Sequence, residues 1–268
     1  MKMFNLKEEV AVVIGGTGVL GGAIARGFSD AGAKVAVVGR NKERGAACSQ
    51  AIVDNGGEAV FFQADATDVE ALKKVQEEVQ SKLGNPTILL NAAGGNSPSV
   101  TVTADQPFEK IALPDWQAGF DLNLVGGAFL PCQVFGPGMV QRGCGSIINI
   151  ASISAHIPLS RVVAYSAAKA AVVSLTQFLA REWGQTGVRV NSITPGFFPA
   201  EQNRKLLFNE DGSPTDRTKS IWNHTPMNRF GKPEELVGVA VFLASSQASS
   251  FVNGTDVRVD GGFLTQTI

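Results

Sequence analysis

One tyrosine, two histidines and three cysteines are all that this 268-residue chain has of those residue types. Cys48, Cys132 and Cys144 form no C-x-x-C pair, and an odd number closes no disulfide framework, so a reducing cytoplasm is the expected setting. His156 and His224 lie too far apart to read as paired zinc ligands, and no metal is expected. Neither sign of charge is in excess: the net charge is -1 and the basic residues are scattered. That excludes the electrostatic signature of a nucleic-acid or anionic-membrane partner. Uninterrupted apolar runs of about 20 residues are also missing. The run Val10 to Ile14 stops at Gly15-Gly16, too short for a membrane span or a secretory leader.

What is present is a globular composition, 44% hydrophobic and 18% charged, enough to bury a large core. No linker divides the chain, so one domain over residues 1–268 is expected. Short β-branched runs alternate with longer segments of helical period. Strands are expected at Val10–Ile14, Lys34–Val38, Ala59–Phe62, Thr87–Leu90, Ser146–Ile150, Val188–Ile193 and Asp256–Val259. Helices are expected at Leu20–Asp30, Lys42–Asp54, from an Asp68 N-cap to Leu83, from Asp115 onward through Asn123, at Val162–Trp183, and after Pro233. Such alternation specifies an α/β fold: a doubly wound parallel sheet of Rossmann type with helices on both faces. Ligands then sit beyond the carboxyl ends of the strands, where two long connections fall, Gly95 to Pro114 and residues 195–232. The second is expected to be a substrate loop or lid.

The first strand runs directly into Gly15-Gly16-Thr17-Gly18-Val19-Leu20-Gly21, which opens the first helix. A G-x-G-x-x-G pattern alone is weak; between a strand and a helix it marks a dinucleotide pyrophosphate site. Glycines turn the backbone tightly, and the helix N-terminus receives the charge. After the second strand, where an NAD site would carry an acid for the 2′-hydroxyl, this chain has Gly39-Arg40-Asn41. Arg40 there favours NADP(H) by pairing with a 2′-phosphate, although an arginine stacked on adenine is compatible with NAD(H). Asp65, followed by Ala66, stands where an adenine amino group could be accepted, or where a turn needs a cap. Asn91, Ala93 and Gly94 end the fourth strand with the small residues that a flat ligand requires.

Tyr165 and Lys169, four apart on one helix, share a face. A phenol with an ordinary pKa near ~10 is a poor base at neutral pH, and a neighbouring ammonium would lower it. Ser152, just past the fifth strand, is placed to hydrogen-bond a carbonyl. Asn123, within a helix near the sheet, could hold a water for a proton relay. A tyrosine and lysine at this spacing also occur by chance on solvated helix faces; the glycine turn and Ser152 weigh against that here.

These residues together resemble the short-chain dehydrogenase/reductase family along nearly the whole chain: Gly15 to Gly21, Asn91-Ala92-Ala93-Gly94, Asn123, Ser152, Tyr165-Ser166-Ala167-Ala168-Lys169, Pro195-Gly196 and Asp260-Gly261-Gly262. The resemblance implies that Tyr165 exchanges the substrate proton and that Lys169 lowers its pKa and binds the nicotinamide ribose. It implies further that Ser152 orients the carbonyl, that Asn123 supports the relay, and that Pro195-Gly196, with Phe198, lies by the nicotinamide. It also implies a homotetramer or homodimer with the last strand near a subunit contact. Ile14, Val19 and Ala92 depart from the commonest family pattern and bear on cofactor contacts rather than on the fold.

Gly15-Gly16-Thr17-Gly18-Val19-Leu20-Gly21-Gly22, Gly94-Gly95-Asn96-Ser97-Pro98, Gly196-Phe197-Phe198 with Glu201-Gln202-Asn203-Arg204, and His224-Thr225-Pro226-Met227 resemble more narrowly the mannonate (fructuronate) oxidoreductase branch. A sugar acid needs a cation for its carboxylate and amides or hydroxyls for its hydroxyl groups. Asn96, Ser154, Arg161, Gln202, Asn203 and Arg204 are the candidates. Phe197 and Phe198 raise the alternative of an apolar pocket for another ketone. A dinucleotide sensor without turnover is disfavoured by the complete Ser/Tyr/Lys set.

Overall fold

Seven short segments, the inner five of them rich in Val or Ile and Leu and buried on both faces, call for a sheet covered on both sides. In the computed structural model, which describes residues 2–199 and 204–266, with the backbone alone at residues 204 and 205, they form one parallel sheet. The strands are β1 (Val10–Ile14), β2 (Lys34–Gly39), β3 (Ala59–Gln63), β4 (Ile88–Asn91), β5 (Gly145–Ile150), β6 (Val188–Pro195) and β7 (Asp256–Val259). Their order is β3-β2-β1-β4-β5-β6-β7. The winding reverses between β1 and β4, where Ile14 pairs with Asn91, so the ligand crevice opens beyond those two residues.

Nine α-helical segments flank the sheet among the described residues: α1 (Val19–Asp30), α2 (Lys42–Asp54), α3 (Val69–Lys82), α4 (Leu113–Phe120), α5 (Leu130–Arg142), α6 (Val163–Trp183), α7 (Arg204–Leu207), α8 (Asp216–His224) and α9 (Val237–Ala244). One face of the sheet packs Val12, Ala36, Leu89 and Ile147 against Leu72 and Val79 of α3, Phe135 and Met139 of α5, and Leu179 of α6. The opposite face packs Val13, Val35, Leu90 and Ile148 against Ile24 and Phe28 of α1, Ile52 of α2, and Ala240 and Leu243 of α9. Alternate residues of each strand thus serve opposite layers, as the two-residue strand period dictates. Asp68 caps α3 through the backbone N–H groups of Glu70 and Ala71, and Asn41 caps α2 through that of Arg44.

The expected strands all form, most of them a residue longer or displaced by one. The expected helix from Asp115 begins instead at Leu113 and is not a single α-helix. Between α4 and α5 the chain widens into a π-helix over Asp121–Phe129 that contains Asn123. Pro131, lacking an N–H, interrupts the ladder where α5 takes over. After Pro233 comes a 3-10 turn, with α9 starting only at Val237. Val163–Thr186 is long and apolar enough to cross a bilayer by composition, at a mean hydropathy of 1.3. Here it lies against β5 and β6 and buries Lys169 and Thr176.

Candidate active site

At the end of β1 the chain turns through Gly15, whose φ of +80° and tight approach to the Ala92–Ala93 peptide admit no side chain: a Cβ would lie 2.6 Å from Ala93 N. Gly21 packs onto the Gly15 carbonyl, and Thr17 fills the space over Gly39. Gly18 is the N-cap of α1 and offers no side chain to it, so the N–H groups of the first turn, at Val19 and Leu20, stay available to an anion. A cleft of about 330 Å³ opens nearby. Arg40, Asp65 and Thr67 line one end, and Asn123, Tyr165, Gly95 and Asn96 the other. A glycine cradle, an uncapped helix N-terminus and the cleft beside Arg40 fit a dinucleotide.

Arg40 is not isolated in this cleft. Its Nη1 lies 3.6 Å from Asp65 Oδ2. Asp65 also accepts hydrogen bonds on Oδ1 from the backbone N–H and hydroxyl of Thr67, at 3.0 and 2.8 Å. The Thr67 backbone bond, with smaller help from its hydroxyl and from Arg40, holds this carboxyl below the usual range. Asp65 thus closes a turn through Thr67, the capping alternative, and also lines the cleft. Ala66 is half-buried beside it, pressed by the π-helix, where a Cβ on Gly126 would lie 2.9 Å from the Ala66 carbonyl carbon. Asn41 spends its side-chain oxygen on the α2 cap, leaving its backbone for any ligand.

Asn91 departs from expectation. Its side chain is fully buried under the sheet, donating to Asn149 Oδ1 at 2.8 Å, while Asn149 donates to Thr176 Oγ1 at 2.8 Å. Asn91 takes the same face of β4 as Leu89, toward the layer of α5 and α6, so its amide ties β4 to β5 and α6 instead of touching a cofactor.

The catalytic candidates converge on Gly94. A Cβ there would lie 2.7 Å from Asn123 Oδ1 and 3.2 Å from Lys169 Nζ. Asn123, 1% exposed, accepts from Gly95 N at 2.8 Å and donates to Gly95 O at 2.8 Å and Gly119 O at 2.9 Å. Both amide protons are therefore spent on backbone. The expected water-holding amide is in the first place a clamp on the Gly94-Gly95 loop, and its bond to Gly119, four residues back, replaces a ladder contact that the π-helix displaces.

Lys169 is 3% exposed and donates from Nζ to Ile150 O at 2.8 Å. Burial pulls its pKa down to about 8. Its ammonium lies 5.8 Å from the centre of the Tyr165 ring, over the face. The expected lowering of the phenol by Lys169 is not what this geometry delivers. Burial pushes the half-buried Tyr165 phenol up, and the opposing pull comes from a hydrogen bond with Ser152. Ser152 itself, 7% exposed, caps the short turn Ile153–Ala155 and accepts on Oγ from Ser154 N and Ser154 Oγ.

The remaining candidates separate. Asn96 lines the cleft with its amide donated to Thr101 Oγ1 at 2.6 Å. Arg161 has a left-handed φ of +76° and clamps the 95–112 loop, with Nε bonded to Val102 O at 3.2 Å and its own carbonyl accepting from Val102 N. Ser154 is buried and turned toward Ser152. Gln202 and Asn203 lie outside the described residues, and Arg204 is described only as the backbone that starts α7. Pro195 ends β6, and Gly196 lies so close to Asp260 that a Cβ would come within 2.7 Å of its Cα. Phe197 packs edge-on against Phe263 at 5.3 Å, and Phe198 packs onto Gly231. Phe197 thus ties the 195–232 segment to the C-terminal turn, and Phe198 joins the two ends of that segment. Gly95, Thr67 and the π-helix are site features that sequence reasoning missed. Only the doubled Gly94-Gly95 hinted at the first.

A family model described as enoyl-(acyl carrier protein) reductase matches residues 17–264. The uncharacterized oxidoreductase UxuB of Bacillus subtilis is 41% identical over 270 residues, covering 97% of this chain and 96% of that one. A solved structure from Haemophilus influenzae, provisionally assigned as a D-mannonate oxidoreductase and holding NAD, superposes with a TM-score of 0.92 at 36% identity, over 98% of this chain and 97% of that one. A gluconate 5-dehydrogenase from Burkholderia cenocepacia, in complex with NADP and tartrate, superposes with a TM-score of 0.87 at 32% identity, over 99% and 98%.

Proposed function

Because this chain belongs to the short-chain dehydrogenase/reductase family of oxidoreductases, we propose that it interconverts a secondary alcohol and a ketone on a sugar acid of the D-mannonate/D-fructuronate type. The observation that carries the reading is the convergence of Ser152, Tyr165, Lys169 and Asn123 about the Gly94-Gly95 loop, at the carboxyl end of the sheet. The two sugar-acid relatives in crystal form support the substrate class.

The cofactor in this reading is NADP(H) or NAD(H), with Arg40 favouring the phosphorylated form. Gly15, Thr17, Gly18, Val19, Leu20 and Gly21 would hold its pyrophosphate. Arg40, Asn41, Asp65 and Ala66 would hold the adenosine end, and Ala93, Gly94, Lys169, Pro195, Gly196 and Phe198 the nicotinamide end. When bound, the dinucleotide supplies the hydride acceptor or donor. In the direction of reduction, Tyr165 Oη gives its proton to the carbonyl oxygen as that oxygen becomes an alkoxide. Burial keeps the phenol protonated at neutral pH, which suits it as an acid. Ser152 donates to the same oxygen and stabilises its developing charge. Lys169, buried and charged below about pH 8, is held by the Ile150 carbonyl and would bind the nicotinamide ribose. Asn123 fixes the loop against which these groups pack. Arg161 Nη groups and the Asn96 carbonyl are the groups proposed for the substrate carboxylate and hydroxyls. Residues 195–232 are proposed as the lid, within one domain that assembles as a homotetramer or homodimer in the cytoplasm.

Initial rates with D-fructuronate and related keto sugar acids, with NADPH and NADH in parallel, test the reading in wild type and Tyr165→Phe. The variant keeps the ring and loses the hydroxyl, so kcat should fall by about 10²–10⁴ while cofactor still binds. Full activity in Tyr165→Phe would remove the proposed acid, and reduction of apolar ketones alone would remove the sugar acid.

A further inference from the structure

Ser152 lies two residues past β5 with an extended backbone, and its Oγ accepts two hydrogen bonds from one residue: Ser154 N at 3.2 Å and Ser154 Oγ at 3.0 Å. A serine hydroxyl carries one proton and two acceptor lone pairs. With both lone pairs taken, Ser152 has only its proton left to offer. Tyr165 is the neighbour whose phenol Ser152 draws toward its ionised form, against the effect of burial.

We propose that Ser154 is a positioning residue that makes Ser152 an obligate donor: its N–H and O–H fill Ser152 Oγ and turn the Ser152 proton outward, toward Tyr165 in the free protein and toward the reacting substrate oxygen in the complex. The inference deepens the function proposed above and rests on it. Ser154 is 4% exposed and its hydroxyl proton is directed inward, which replaces the substrate contact expected for it from the sequence. The turn that holds both serines is itself anchored. His156, which closes it, bonds from Nε2 to Asp256 Oδ2 at 3.0 Å and Thr194 Oγ1 at 3.3 Å. Asp256 Oδ1 in turn accepts from Ser192 Oγ at 2.6 Å and Thr194 Oγ1 at 2.9 Å. Among the described residues, His156 is the only side chain of the 153–160 segment hydrogen-bonded to the sheet. A hydroxyl free to rotate would spend part of its time accepting from Tyr165, which opposes proton delivery. One held as a donor needs no reorientation when the carbonyl oxygen gains negative charge.

Tyr165 is the only tyrosine, so full-length protein labelled with ¹³C at the tyrosine Cζ gives a single resonance that reports on the phenol oxygen's hydrogen bonds without any substrate. Ser154→Ala should move that resonance in the same direction as Ser152→Ala and by less. Ser154→Thr, which keeps the hydroxyl, should restore it, and Ser154→Ala should add nothing in a Ser152→Ala background. In turnover with D-fructuronate, Ser154→Ala should lower kcat about threefold to tenfold, the worth of one neutral hydrogen bond, with KM unchanged. A resonance unmoved by Ser154→Ala, or additive with Ser152→Ala, would overturn the inference. So would a raised KM at unchanged kcat, which would make Ser154 a substrate contact. Because the resonance is read without turnover, failure here is separable from failure of the sugar-acid reading or of Tyr165 as the acid.

Discussion

The two ends of the cleft are built on opposite principles. At the adenosine end, Arg40 and Asp65 face each other at 3.6 Å with side chains 68% and 43% exposed, a pair that solvent screens and that costs little to rearrange. At the catalytic end, Asn123, Lys169 and Ser152 are at most 7% exposed and bonded to backbone or to one another. In the proposed reading, charge selectivity for the cofactor would rest on adjustable surface groups, and the chemistry on a buried network in which each group fixes the next. Substitutions should therefore cost far more at the catalytic end, and the neighbouring glycines of the 94–95 loop offer the sharpest way to break that contrast.

Gly94→Ala should be the most damaging of these changes. The added methyl would meet Asn123 Oδ1 at 2.7 Å and Lys169 Nζ at 3.2 Å, at a φ of +151° that side chains disfavour. Displacing either group by about 1 Å should lower kcat by about 10²-fold. Gly95→Ala is the control, since its methyl would meet no atom within 4 Å although its φ is similar, +158°. If the two alanine variants lose activity equally, backbone strain and not contact with the buried network governs this loop.

Lys169 ranks next, through stability and not only through rate. Burial holds its pKa at about 8 against 10.5 when unpaired in solvent. Below about pH 8 both folded and unfolded chains carry the proton, and the folded state bears the full cost of a buried charge, about 3 kcal/mol. Between pH 8 and 10.5 the folded chain has released the proton and the unfolded chain has not, so the cost fades as pH rises. Lys169→Met should be inactive yet more stable at pH 7 by about 2 kcal/mol, after allowing for the Ile150 carbonyl left without its donor. Thermal melting should show that gain shrinking between pH 8 and 10.5. A gain that is absent at pH 7, or unchanged across that range, would mean that Lys169 is not the strained member of the site.

The contrast between the ends also explains what was legible in the sequence. The sheet could be read because its strands are short, β-branched and bounded by glycine, and the Gly15–Gly21 turn because close approach of its backbone to neighbouring chain requires glycine. Tyr165, Lys169 and Ser152 were legible because residue type and spacing put them on known elements. The π-helix around Asn123 was not, since a single extra residue per turn leaves no period of its own. The inward turn of Asn91 depends on which face of β4 each residue takes, and Ser154's bond to Ser152 on a local turn that carries no composition signal. Nor was the Arg40–Asp65 pair legible, because it joins the ends of two different strands and only the sheet order brings them together.

That pair gives the smallest effect and the clearest test of the adjustable end. Arg40→Ala should lower the NADPH/NADH ratio of kcat/KM about tenfold, less at high salt because the site is exposed. Thr67, more than Arg40, holds Asp65 ionised, so the carboxylate persists when Arg40 is gone and then faces a 2′-phosphate with no cation between them. Asp65→Asn in the wild-type background should raise the ratio about threefold by releasing Arg40, and in the Arg40→Ala background should recover part of the loss by removing that repulsion. If Asp65→Asn instead weakens NADH and NADPH alike, the carboxylate serves the adenine rather than the balance of charge at Arg40. The adenosine end would then be held to a single geometry just as the catalytic end is, and the division between them would not hold.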